Sequence, residues 1–167
     1  MTSPGAAAVR RLAFGAAALT LVAVAAGCAA PGPADLSAVS DAVTDAVEQT
    51  GFDVRTVAVR TQSPGLPTAT SLTVAVYVET GDAAPLAPAV DAALDAAWHS
   101  SPPEPDAGVT LFFFEGEPVE GSEFEWRDNT VVDLTDAGLE LDLLVSGRSG
   151  RISVDAGTLA ERYGPRS

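Results

Sequence analysis

His99 is the one histidine of the chain and the side chain best suited to proton transfer near neutral pH. It follows Trp98 and precedes Ser100 and Ser101, so candidate serine nucleophiles lie beside it in sequence. With a carboxylate, that set would make a hydrolytic triad. The G-x-S-x-G elbow that presents such a nucleophile is missing: Ser146-Gly147-Arg148-Ser149-Gly150 has a different spacing. A histidine at the end of a helix is also favoured by the helix dipole, with no catalysis at all. His99 therefore carries the enzymatic alternative, a small hydrolase or ligand-binding enzyme, against the plainer reading of a structural residue.

Other side chains could bind rather than react. Residues 115–125 hold Glu115, Glu117, Glu120, Glu123 and Glu125, and Asp128 follows. Clustered carboxylates suit Ca²⁺, a hard cation that takes oxygen ligands. The D-x-[DN]-x-[DN]-G spacing is absent, so weak divalent cation binding through residues such as Glu117 and Glu120 stands beside a merely solvated loop. Trp126 sits between Glu125 and Arg127 in a polar stretch, which marks it as an exposed aromatic contact. Trp98 recurs at helical spacing and is expected in the core, although with Trp126 and Tyr77 it could line a groove. Arg148 and Arg151 flank the Ser149-Gly150 turn, where they either hold an anion or face water. No phosphate-binding glycine loop, zinc-ligand set or nucleotide fingerprint occurs, so no cofactor is expected.

Cys28 is the only cysteine and has no internal disulfide partner. Before it, Arg10-Arg11 precede an apolar run over residues 12–27, which carries no charge and one hydroxyl, Thr20. A positive region, an apolar stretch and small residues define a secretory signal. The run falls short of the roughly 20 apolar residues of a spanning helix. It ends in Ala25-Ala26-Gly27-Cys28, which resembles the lipobox of bacterial lipoproteins. The resemblance covers residues 1–28 and does not extend to the domain beyond. It implies that the Cys28 thiol receives a diacylglyceryl group carrying palmitate-type chains, and that cleavage follows on its N-terminal side. The family's usual Leu is replaced by Ala25, and Val24 stands one place too early. Ordinary cleavage after Ala25 would leave a free thiol, and an uncleaved segment would remain as an anchor. Phe14 lies one place late for the twin-arginine export pattern, so Arg10-Arg11 read as a plain positive region. Two acyl chains anchor firmly where one, at about 0.8 kcal/mol per buried methylene, is marginal. The expected partner is the lipid bilayer, reached through acylated Cys28 from the extracytoplasmic face of the cell membrane.

Beyond residue 27 stand 140 residues, enough for one domain with a proper core. That part holds all 23 acidic residues, seven of the nine arginines and no lysine, a net charge of −16. Such a surface repels phosphate backbones, which excludes nucleic acid, and repels anionic headgroups as well. The organisation expected is a signal peptide at 1–27, a lipidated cysteine and Pro/Gly tether at 28–34, and one acidic domain at 35–167.

The elements that must position these side chains follow from periodicity. Residues 35–50 predict a helix, with Leu36, Val39, Val43 and Val47 on one stripe, Asp35 as its cap and Gly51 as its stop. Residues 53–61 and 71–80 predict two strands of a hairpin, the second with Leu72, Val74, Val76 and Val78 on one face. Residues 85–98 predict a helix, with Leu86, Val90, Leu94 and Trp98 stepping by four. Residues 109–114 predict a central strand covered on both faces. Residues 133–142 suit a short helix, though Leu139, Leu141, Leu143 and Val145 also alternate like a strand. A strand at 151–154 and a helix capped by Asp155 close the chain.

The expectation is a single-domain α+β layer sandwich, order α-β-β-α-β-(α)-β-α. Its first five elements resemble a ferredoxin-like unit without its first strand, whose place the 151–154 strand would fill in a permuted arrangement. Fold likeness carries no function. Two functions remain from different classes. One is a membrane-anchored, non-catalytic binding or interaction module that contacts another envelope protein. The other is a small envelope hydrolase or ligand-binding enzyme using His99. A substrate-capture role for a transporter is disfavoured, since 140 residues are few for two lobes.

Overall fold

A stripe of valines starts the fold. Val39, Val43 and Val47 are fully buried on α1 (Ser37–Glu48), each contributing about 1.5–3 kcal/mol of apolar burial. The computed structural model describes residues 35–63, 69–79, 84–100 and 105–166. The signal peptide, Cys28 and the tether fall outside the described residues. Asp35 sits one place before the cap position, held by Leu36, and its carboxylate accepts from the Ser37 N–H at 3.0 Å. Ser40 Oγ donates to the Val57 carbonyl at 2.9 Å and ties α1 to the neighbouring strand.

Strands β1 (Val54–Gln62) and β2 (Ser71–Val78) pair antiparallel, as the hairpin reading requires. Helix α2 (Leu86–Ser100) then crosses over, and β3 (Gly108–Glu115) lies parallel to β2 along eight register pairs. Between α2 and the sheet, Leu72, Val74 and Val76 meet Val90, Leu94 and Trp98 in the main core.

Beyond β3 come β4 (Thr130–Val131), α3 (Thr135–Glu140), β5 (Val145–Ser146), β6 (Arg151–Val154) and α4 (Ala156–Tyr163). The ambiguous segment resolves as both structures in turn: a helix to Glu140, then a reversal through Asp142 at φ 55°, then a two-residue strand at Val145. Asp155 caps α4 as expected, accepting from the Thr158 N–H at 3.0 Å.

The result is an α+β domain of four helices on a six-stranded mixed sheet, order β1-β2-β3-β6-β5 with β4 also on β3. The place between β2 and β3 that a ferredoxin-like sheet reserves for another strand is closed. β2 and β3 pair directly along their length, so β6 takes the far side of β3 instead. That far side is shared. β6 pairs with Val109, Thr110 and Leu111, and β4 pairs with Phe114 and Glu115.

Candidate binding cleft

The change of partner along β3 leaves Phe112 beside neither short strand. Strand alternation turns Phe112, Phe114, Ala75 and Tyr77 away from the helices into a second, smaller core. No helix of the described residues packs against this face. Residues 116–129 do, laying Phe124 and Trp126 against it. The segment is fastened by its own polar groups: Asn129 Nδ2 donates to the Ser122 and Glu125 carbonyls at 2.7 and 3.0 Å. Tyr77 Oη donates to the Glu123 carbonyl at 2.8 Å from below. Arg60 stacks on Phe124, its guanidinium 4.2 Å from the ring centre. Burial, with the Glu123 charge adding, pushes the Tyr77 phenol up to about 12.

On the same face, Ile152 pairs with Leu111 in the main core, so its neighbour Arg151 turns to the Phe112 side. The 3₁₀ turn Gly147–Ser149 before β6 carries Arg148. Gly150 closes the turn at φ 57°, and a Cβ there would meet Val131 Cγ1 at 2.5 Å. Only glycine lets this turn press against β4. A cleft of about 420 Å³ opens between turn, loop and sheet, lined by Phe112, Trp126, Ser146, Arg148, Ser149 and Arg151. That size suits a small ligand.

The arginines of the described residues divide sharply. Arg55 pairs with Glu79, and Arg162 pairs with Asp91 at 2.8 Å. Arg60, Arg127 and Arg166 lie over Phe124, Trp126 and Trp98. Arg148 and Arg151 have neither an ion pair nor a ring partner among the described residues. In a chain with 23 acidic residues, the two arginines of the described residues that have neither an ion pair nor a ring partner line one cleft.

The structure therefore brings Trp126 beside Arg148 and Arg151; the sequence weighed the two arginines together, as an anion site or a solvated turn, and Trp126 apart from them. Phe112 read only as core, and Ser146 and Ser149 only as a failed hydrolase elbow. The alternation of Arg151 with Ile152 was the one local signal of its direction. Trp98 is a core residue, 6% exposed, with Nε1 donating to the Gly164 carbonyl at 3.0 Å. Tyr77 is buried under the acidic loop and lines no groove with either tryptophan.

His99 stands at the exposed end of α2, with Nδ1 2.9 Å from Asp95 Oδ1 one turn earlier. Among the described residues no hydroxyl hydrogen-bonds it, and the Ser100 hydroxyl donates to the Ala96 carbonyl. The acidic loop spreads its carboxylates: Glu117 reaches to 4.0 Å of Arg55, Glu123 accepts from the Gly121 N–H, and Glu120 is exposed. Among the described residues no three His, Cys, Asp or Glu side chains converge as metal ligands. Comparison of the chain with protein-family models, curated proteins and solved structures returned no match.

Proposed function

We propose that the protein is a lipid-anchored lipoprotein on the extracytoplasmic face of the cell membrane, and that its acidic domain is a non-catalytic binding module of the envelope. The anchor rests on residues 1–28: an uncharged apolar run that ends in Ala25-Ala26-Gly27-Cys28. Among the described residues no helix is long and apolar enough to cross a membrane. By this reading the acylated Cys28 holds the domain at the membrane. The binding role is carried by one observation. Trp126, Arg148 and Arg151 line a single cleft, and among the described residues those two arginines lack the ion-pair or ring partner that the others have. The hydrolase reading of His99 receives half of a triad, the Asp95 pair, and no nucleophile among the described residues.

Two measurements test the two halves. Cys28→Ser should move the protein out of the membrane fraction or leave it at precursor mass. Unchanged fractionation together with an unchanged mass overturns the anchor. A photo-crosslinking residue in place of Trp126 should give a discrete adduct in cells, while the same residue at exposed Glu48 on α1 should not. Equal labelling from both positions, or none from position 126, overturns the cleft as the binding face.

A further inference from the structure

We infer that the cleft binds a small organic anion, a carboxylate or phosphate ester attached to a ring or short apolar body. This deepens the binding-module reading and rests on it. The charged end is set by donors. Arg148 and Arg151 each offer a planar fork of N–H groups, whose geometry matches the two oxygens of a carboxylate or phosphate. The neighbouring Ser149 hydroxyl gives its proton to the Ser146 carbonyl at 3.1 Å, so the guanidiniums are the strong donors there.

Their lack of partners is the telling point. A structural arginine in this chain finds a carboxylate or a ring, as Arg55, Arg162 and Arg60 do. Two cations that line one cleft without an ion-pair partner among the described residues repel each other, and an arriving anion relieves that repulsion. Gly150, which no residue with a Cβ can replace without displacing Val131, joins the turn that carries Arg148 to the start of β6 at Arg151.

The apolar end is set by Phe112 and Trp126, which offer aromatic surface on the same cleft. The rest of the molecule limits the ligand's size and charge. With a net charge of −16 beyond residue 27, a polyanion or an anionic bilayer is repelled before it reaches the turn. A ligand of one or two negative charges meets far less of that repulsion than a polyanion does, and a cleft of about 420 Å³ has room for a ring with its acid group.

The test is calorimetric titration of the purified full-length protein in detergent, with phenyl phosphate, benzoate and inorganic phosphate as probes. Saturable binding of phenyl phosphate or benzoate is expected, with inorganic phosphate weaker because it leaves the aromatic surface uncovered. Arg148→Gln and Arg151→Gln should each weaken binding about tenfold or more, the usual loss for a charge-assisted hydrogen bond. Trp126→Ala should weaken both organic probes and leave inorganic phosphate unchanged. Arg55→Gln, on the edge strand β1 and already paired with Glu79, should bind like the unaltered protein. Both cleft arginines are exposed, so their variants should keep the parent melting temperature. Absence of saturable binding by every probe overturns the inference, as does undiminished binding in an Arg148→Gln/Arg151→Gln variant. Binding to phosphatidylglycerol vesicles with no response to the soluble probes also overturns it, in favour of a headgroup surface. If the probes fail while the Trp126 position still crosslinks in cells, the ligand class is wrong and the binding face stands. If both fail, the binding-module reading falls with it.

Discussion

Tyr77 couples the acidic loop to the sheet through one hydrogen bond, and its ionisation should show in the stability of the fold. The phenol is buried against Phe114, 5.2 Å between ring centres, and donates to the Glu123 carbonyl. Its ordinary value of 10.0 rises to about 12, so the folded state resists deprotonation that the unfolded state accepts. The contribution is fully present below pH 10 and is lost as the pH rises towards 12. Thermal melts from pH 9 upward should fall more steeply for the unaltered protein than for Tyr77→Phe. Parallel pH profiles would show that the phenol does not titrate with unfolding. Gly150→Ala makes a second test. With φ at 57° and Val131 Cγ1 in the way, the turn must shift, and a loss of about 1–3 kcal/mol is expected. The same substitution should disturb anion binding, because Arg148 and Arg151 sit on either side of that glycine. At the acid end, the Thr158 backbone N–H holds the Asp155 carboxyl below the usual carboxylate range. Its capping contribution is present above the unfolded value and is lost as the pH falls through the lower folded one. Asp155→Ala should therefore lower the melting temperature at pH 7, and the gap from the parent should narrow towards pH 3.

Elements with a regular period were legible in the sequence, and the reason is local. The α1 and α2 stripes, the β2 alternation and the Asp155 cap are each fixed by neighbours within one or two turns. The segment around Leu139 to Val145 was ambiguous because it changes structure halfway, and the left-handed Asp142 that makes the change is no glycine. Strands β4 and β5, two residues each, carry no period to detect. The cleft was illegible for a stronger reason. It depends on β6 choosing the far side of β3 and on an acidic loop folding over Phe112 and Phe114. Both are long-range contacts. Net charge suggested that residues 116–129 would be solvated, yet Phe124 and Trp126 spend their apolar surface on the sheet. This loop therefore acts as a layer of the fold. Phe124→Ala should cost about 1–3 kcal/mol, the loss of Arg60 stacking included, and less than a fully buried Phe because the ring is partly exposed. Amide exchange in Phe112 and Phe114 should quicken with it. If stability and exchange stay at parent values, the loop is a passenger.

At the scale of the whole molecule, charge decides more than any ion pair. A net −16 on 140 residues is self-repulsive, and the carboxylates far outnumber the seven arginines available to neutralise them. The ion pairs among the described residues are few and solvent-exposed, Arg55–Glu79 and Arg162–Asp91 foremost, and exposed pairs stabilise by at most about 1 kcal/mol. Salt weakens both effects, so the sign of the salt response tells which is larger. Raising ionic strength from about 0.01 M to about 0.15 M shortens the screening length from roughly 30 Å to roughly 8 Å. Repulsion among scattered carboxylates acts over the longer range and is lost first. A melting temperature that rises by a few degrees with NaCl is therefore expected. A fall would mean that the ion pairs outweigh the repulsion. The same experiment separates screening from a cation site. Spread carboxylates without a converging set of three should respond to Ca²⁺ as they do to NaCl at matched ionic strength. A larger rise with millimolar Ca²⁺, saturating and accompanied by heat in calorimetry, would place a specific cation on the acidic loop. Anion binding at Arg148 and Arg151 should weaken over the same salt range, since chloride competes for the guanidiniums. Fold stability and ligand affinity are thus expected to move in opposite directions as salt is added, which no single denaturing effect of salt can produce.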